Sequence, residues 1–455
     1  MKEYGSLFQE SGILSQGTFP KALIVLITSA VVLGPGAVGA IRSRVLWALS
    51  FAVLLPCCLH ALGRNSHPLA KKFALSVLTV CFTITVFDLV LRSPLLTPLY
   101  YQSPPRPAPW PLMPLVHRYA ANVRYRGSNF GDLTALLGSR GYAEYSDLEF
   151  VTDQFGFRNK TSENESTSRG LDLILLGDSF AVGEATTQNK TWGSVLSKDH
   201  GLQVYNLSVA GVGPWEEYVN LAVEVDRLKI TPRGTVVVWA IFTGNDLEDP
   251  CYSTLELTKL PWNNWLRSLV VSYGVFRYGS PVFTVVSRGL RLSGGGESRV
   301  LVRDFLDGSK LLFFSEFADR KDRKLDEIRS NPQYRCVEAT VEAMSKFAAS
   351  RHLTVAVVLV PTKEEVYSWV VDRGRPWSTN SEPSGFAAAF KDICQRNGVQ
   401  FLDLKLFLVD ASKRAWEDSH SLVWYRDDIH WNARGNKEVA SAVYNNLLRS
   451  LLSDH

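Results

Sequence analysis

The chain has 455 residues, of which 46% are hydrophobic and 21% charged, and its formal net charge is +4. That length suits a membrane part followed by one large α/β domain, not a single ordinary domain. The small net charge, with no Lys/Arg cluster interleaved with aromatics, argues against a nucleic-acid partner. The six cysteines form no CxxC pair and no Cys/His ligand spacing, which argues against zinc and any other metal site. Cys57, Cys58 and Cys81 lie in apolar stretches, and Cys251, Cys336 and Cys394 are isolated, so all six read as buried free thiols.

Three apolar stretches open the chain, Ala22 to Ile41, Val45 to Leu62 and Phe73 to Leu91. Each is close to the about 20 residues that a helix needs to cross a bilayer. They are expected to be three transmembrane helices rather than a cleaved leader, because Lys2, Glu3 and Glu10 do not make a basic start. The loop with Arg64, Lys71 and Lys72 is more basic than the loop with Arg42 and Arg44. The positive-inside rule then puts everything after Arg92 outside the cytoplasm. A connector follows with Pro104, Pro105, Pro107, Pro109, Pro111 and Pro114, and then a preface segment with Asp153-Gln-Phe-Gly-Phe-Arg158. Proline at that density favours extended, stiff backbone.

From Leu171 the pattern alternates. Strands are predicted at Leu171–Leu176, Gln203–Val209, Thr235–Phe242, Leu353–Val360 and Val399–Leu404. Helices are predicted at Thr191–Asp199, Trp215–Leu228, Val337–Arg351, Ser384–Asn397 and Asn436–Leu452. Such alternation implies a mainly parallel sheet covered on both faces, an α/β domain of three layers, α/β/α. The expected division is a membrane region over 1–92, a connector and preface over 93–165, and the α/β domain over 166–455, with an insertion at about 249–331. Within the insertion, Trp265 to Val286 reads either as a lid or bilayer-touching surface or as further packed helices.

Four short motifs sit where chemistry is done in such a domain. Gly177-Asp-Ser179 follows the first strand, at the sheet edge where open parallel sheets build their sites. A serine there attacks a carbonyl if a base takes its proton, although the same motif also makes an ordinary helix cap. Gly211 follows the second strand and Asn245 the third; a backbone N–H and a side-chain amide there suit an oxyanion, and both also suit plain turns. Asp427-Asp-Ile-His430 precedes the last helix, where a carboxylate two or three residues before a histidine can hold its tautomer.

Together, in that order and placement, Ser179, Gly211, Asn245 and His430 resemble the four blocks of the SGNH (GDSL-type) hydrolase family, over about Leu171 to Leu452. The α/β-hydrolase elbow is absent, since Ala181 stands where its second glycine would be. The resemblance implies a serine esterase or O-acyltransferase working through an acyl-enzyme, with no cofactor. Ser179 is then the nucleophile and His430 its base, and Ser179 N–H, Gly211 N–H and the Asn245 amide form the oxyanion hole. Of the two aspartates, Asp427 is preferred over Asp428 as the residue that orients His430, because Asp, a variable residue and an apolar residue before His is the family's commonest block. Val360-Pro-Thr-Lys-Glu-Glu365 looks like a segment of SGNH-type acetyltransferases of bacterial exopolysaccharides, which makes Lys363 a candidate for binding an acidic sugar; a solvated helix start is the plainer reading. The implied partners are an acyl ester, a polysaccharide and a membrane protein that donates acyl groups. The alternative function is a non-catalytic glycan-binding or scaffolding module of the same fold.

Overall fold

The computed structural model describes residues 107–110, 113–138, 140–159, 170–231, 234–249, 299–371 and 383–453, with seven helical positions between Pro68 and Thr83. The three expected membrane spans lie outside the described residues, apart from single helical positions in the third, and so does Trp265 to Val286. Among the described residues no helix is long and apolar enough to cross a membrane. The chain forms two compact units. The smaller holds the amino-terminal segment with 109–115 and 261–288, and few of its residues are described. The larger unit holds the α/β domain.

In the larger unit an antiparallel pair, β1 (Arg124–Asn129) and β2 (Ser146–Val151), flanks a short helix, α1 (Asp132–Leu137). The central strands are β3 (Leu173–Leu176), β4 (Val204–Asn206) and β5 (Thr235–Phe242). Between them run α2 (Ser179–Val182), α3 (Trp192–His200) and α4 (Pro214–Glu224). A second antiparallel ribbon, β6 (Val300–Asp304) with β7 (Lys310–Phe314), comes from the described end of the insertion. After helix α5 (Tyr334–Ser350) come β8 (Leu353–Val360), the one-turn helix α6 (Lys363–Val366), α7 (Gly385–Arg396), β9 (Gln400–Asp403), α8 (Lys405–Ser419) and α9 (Ala433–Val443).

The five parallel strands order as β9-β8-β5-β3-β4. Strands buried on both faces have no polar face, which is why β3 is Leu-Ile-Leu-Leu and β5 is buried at every position. The register shows how one apolar run feeds two cores. Leu175, Val238 and Ala356 pair in a row and enter one core, with Trp192, Leu408 and Val439 from α3, α8 and α9. The next row, Leu176, Trp239 and Val357, enters the opposite core with Leu221, Met344 and Ile393 from α4, α5 and α7. Alternation along each strand thus builds three layers. Burying each large aliphatic side chain is worth roughly 1.5–3 kcal/mol, so the paired rows are the main anchor of the sheet.

Strand order places the site. The connection leaving β3 leads to β4 on one side, whereas the connection leaving β5 leads to β8 on the other. Adjacent strands whose exits diverge leave a crevice at their carboxyl ends. Ser179 leaves β3 at that point and Asn245 leaves β5.

The predicted strands at Thr235–Phe242 and Leu353–Val360 have the predicted ends. The second predicted strand, to Val209, stops at Asn206, where the backbone turns toward the site. The last predicted helix is broken by a π turn over Tyr444–Leu448. One cysteine expectation is corrected: Cys394 is a buried free thiol, but Cys336 is disulfide-bonded.

Candidate active site

Ser179 is fixed by its immediate neighbours. The Asp178 carboxylate accepts from Phe180 N–H at 2.9 Å and caps α2, and Gly183 N–H returns to the Ser179 carbonyl at 2.9 Å. Ser179 therefore starts the helix, where backbone N–H groups have no acceptor within the helix. Its Oγ lies 2.8 Å from His430 Nε2.

His430 sits in a buried turn before α9, with its ring 4.9 Å from that of Phe180. Asn432 caps α9, accepting from Arg434 N–H at 2.9 Å and Gly435 N–H at 3.1 Å, so the turn ends in a fixed helix start. Nδ1 of His430 lies 2.7 Å from Asp428 Oδ1, and the same oxygen accepts from His430 N–H at 2.9 Å. The other Asp428 oxygen accepts from Asp132 N–H at 3.1 Å. Ser179, His430 and Asp428 thus form a continuous serine–histidine–carboxylate relay.

The preference for Asp427 as orienting residue does not match this geometry. Neighbouring residues in the turn point to opposite sides. Asp428 can fold back on its own second-next N–H and imidazole, while the Asp427 carboxylate faces away. It accepts from Gly131 N–H at 2.9 Å and Glu144 N–H at 3.1 Å, and its carbonyl accepts from Leu133 N–H at 3.0 Å. Asp427 therefore ties the turn to α1 and to the residues on either side of it.

The charges follow from these contacts. Burial pushes the His430 imidazole down, but the Asp428 carboxylate against Nδ1 outweighs it and lifts the group to about 9. Burial opposes charge on Asp428, yet His430 and the N–H groups around it hold the carboxyl below its ordinary range. On the far side of Ser179 the acids go the other way. Burial lifts Asp178 to about 6, and burial with the charge of Asp178 lifts Asp249 to about 7. Glu217, accepting from Trp239 Nε1–H at 2.6 Å, and Asp246, accepting from Phe242 N–H at 2.7 Å, are raised further by full burial.

Gly211 lies after β4 with a φ of 73°, the left-handed region that suits glycine, and no atom stands within 4 Å of where a Cβ would sit. Backbone conformation, not space, asks for glycine here. The Asn245 amide donates to Asp249 Oδ2 at 2.7 Å. That uses one of its two N–H bonds and fixes the plane of the amide.

Lys363 is not placed to bind a sugar. It is 1% exposed, and its Nζ donates to the carbonyls of Tyr425 at 2.8 Å, Arg426 at 2.9 Å and Asp428 at 3.1 Å. The solvated helix start fails equally, since Thr362, Glu364 and Glu365 are buried as well. Asp132, which the sequence did not single out, brings Oδ2 to 4.0 Å from His430 Nδ1. With Asp428 and His430 it offers ligand-type atoms within 4.8 Å of one another, but the latter two already engage each other. No sequence signal marks Asp132 or Gly131, which meet the turn across 296 positions.

A family model described as the SGNH hydrolase-like domain of the acetyltransferase AlgX matches residues 313–454. The match spans 142 of the 455 residues, in the carboxyl-terminal part of the α/β domain. The matched stretch holds Lys363, Asp427, Asp428 and His430 but not Ser179, Gly211 or Asn245. Solved structures similar to the chain include the psychrotrophic esterase EstA from Pseudoalteromonas sp., at 11% identity and a TM-score of 0.31, covering 61% of this chain and 97% of that one. Another is the acetyl xylan esterase AlAXEase, at 12% identity and a TM-score of 0.31, covering 60% of this chain and 98% of that one. No curated protein compared matches the chain.

Proposed function

We propose that the chain is a membrane-anchored serine esterase or O-acyltransferase that works through an acyl-enzyme on Ser179. The observation that carries this reading is the relay itself, with Ser179 Oγ at 2.8 Å from His430 Nε2 and Asp428 at 2.7 Å from Nδ1. Ser179 attacks an ester carbonyl and His430 takes its proton. Asp428 steadies the imidazolium without taking the proton. The tetrahedral oxyanion is received by Ser179 N–H, Gly211 N–H and the Asn245 amide. His430 returns the proton to the leaving alcohol, and the acyl group then passes to water or to an acceptor hydroxyl.

Transfer to a glycan is favoured by the match to the acetyltransferase family model. A membrane partner would then supply the acyl group. Anchoring by three spans rests on the apolar stretches within 22–91. An extracytoplasmic site rests on the basic loop with Arg64, Lys71 and Lys72, and the disulfide at Cys336 supports the same side, because disulfides persist in oxidising compartments.

The full-length chain, mixed with a chromogenic acetyl ester and an oligosaccharide acceptor, should release the chromophore and yield free acetate or acetylated sugar, and Ser179→Ala should abolish both. Chromophore release that survives in Ser179→Ala would take the nucleophile's role from Ser179, and no turnover of any acyl ester by wild type would overturn the proposal in favour of a non-catalytic glycan-binding module.

A further inference from the structure

A lysine with no access to solvent is an unusual place to put a charge, because a buried ammonium must find partners for every N–H. Lys363 finds three, all main-chain carbonyls, and all in the turn that carries the triad acid and base: Tyr425 at 2.8 Å, Arg426 at 2.9 Å and Asp428 at 3.1 Å. An ammonium has three N–H donors, so it has none left for a ligand. The lysine is itself anchored. It begins α6, where the Thr362 side chain and Glu365 cap each other. On one side Glu364 accepts from Phe314 N–H at 2.7 Å, and on the other Glu365 accepts from Thr243 Oγ1–H at 2.6 Å, two residues before Asn245. Its Nζ also lies over the Phe313 ring, 5.5 Å from the centroid.

Three carbonyl dipoles converging on one point repel one another unless a cation sits there. The cation therefore sets the curvature of the turn. The opposite side of the turn is held by Gly131 N–H and Glu144 N–H on the Asp427 carboxylate and by Asp132 N–H on that of Asp428. We propose that Lys363 is a positioning residue for the triad: by gathering the carbonyls of Tyr425, Arg426 and Asp428 it holds the Asp428 carboxylate on His430 Nδ1 and thereby Nε2 on Ser179. This inference rests on the acyl-enzyme reading, and it separates from a role of Lys363 in recognising acidic sugar. It also gives the Lys-Glu-Glu segment one task, joining the turn, the β7 ribbon and the exit of β5.

The test compares wild type, Lys363→Met and Lys363→Ala in the full-length chain on a neutral chromogenic acetyl ester and on an acetylated acidic oligosaccharide. A displacement of about 1 Å in such a site costs about 100-fold. Lys363→Met should lose about that factor in kcat on both substrates, with KM little changed. Added ethylammonium should restore part of the kcat of Lys363→Ala by refilling the cation position. A loss confined to KM for the acidic substrate would overturn the proposal and restore the sugar-binding role. Full activity of Lys363→Met on both substrates would overturn it too. Should Lys363→Met fail to fold, Lys363→Arg keeps the charge but cannot seat the three carbonyls, and it should show the same kcat loss without a KM change; wild-type kcat there would count against the proposal. A readout independent of turnover is the low-field proton resonance of the His430–Asp428 hydrogen bond. It should persist in Ser179→Ala and vanish in Lys363→Met and in Lys363→Arg. Persistence in the lysine variants contradicts the clamp even if wild type hydrolyses no ester tested, whereas its loss there with no wild-type turnover leaves the clamp standing and the esterase reading fallen.

Discussion

Two loops meet at Ser179 Oγ, and they are held over different sequence distances. The Ser179 loop is held from nearby in the sequence: Asp178 caps Phe180, Gly183 and Glu184 N–H return to the Ser179 carbonyl, and Arg158, Trp192 and Asn206 donate to the carbonyls of Val182, Phe180 and Ala181. The Asp427–His430 turn is fixed from far away, by Gly131, Asp132 and Glu144 on one side and Lys363 on the other. The nucleophile's supports lie within the preface segment and the first strands. The acid and base depend on residues up to 296 positions away, so damage around α1 or α6 should reach the reaction through His430.

The largest effect expected is at the junction itself. Ser179→Ala should lose turnover by about 10⁶-fold, the scale known for a lost serine nucleophile, while the melting temperature stays near wild type. Activity of the mutant close to wild type would remove Ser179 from its role and end the comparison. Next come the paired aspartates. Asp428→Asn should cost about 10⁴-fold, since the imidazole loses the carboxylate that sets its tautomer. Asp427→Asn should cost far less in turnover and show itself in a lower melting temperature, because this carboxylate ties Gly131 and Glu144 to the turn. Reversed effects would give the orienting role back to Asp427.

The choice between those two aspartates marks where the sequence stopped being legible. Strands were readable because burial on both faces demands unbroken apolar runs, as in Thr235–Phe242 and Leu353–Val360. Ser179 and His430, which the structure brings together, were readable because each sits next to the end of a strand or the start of a helix. The Asp427 side chain was not, since its partners are 296 and 283 positions away. Lys363 was misread for the same reason: a Thr-Lys-Glu-Glu string looks solvated until its distant acceptors are known. The β6–β7 ribbon was missed because the insertion has no α/β rhythm to follow.

Asn245→Ala should lower turnover about 100- to 1000-fold through loss of an oxyanion donor, with folding retained. An unfolded mutant would mark Asn245 as a turn residue instead. Gly131→Ala tests the remote side of the comparison. A Cβ there would stand 1.9 Å from the Asp427 carbonyl oxygen, so α1 must shift and drag the turn. Turnover should fall by about 100-fold, while labelling of Ser179 by a small fluorophosphonate falls with it. Unchanged turnover would show that the preface segment does not hold the acid. The smallest and most diagnostic change is in pH dependence. Neutral His430 is the base, so kcat/KM should fall as pH drops through its pKa, which the Asp428 carboxylate holds at about 9. In Asp428→Asn the residual activity should follow an inflection moved down toward the ordinary histidine value of about 6.5. An inflection that does not move separates Asp428 from His430.

The most direct test of the whole account is to trap the intermediate. The full-length chain is mixed with a chromogenic acetyl ester, quenched with acid within one turnover, digested and read by mass spectrometry. The account predicts the mass of one acetyl group on the peptide containing Ser179, accumulating further in a variant with His430 replaced by a residue that cannot act as base only if acylation is supplied by a more reactive ester, and absent in Ser179→Ala. Acetyl on another residue, or rapid turnover by wild type with Ser179 never acetylated, would contradict it.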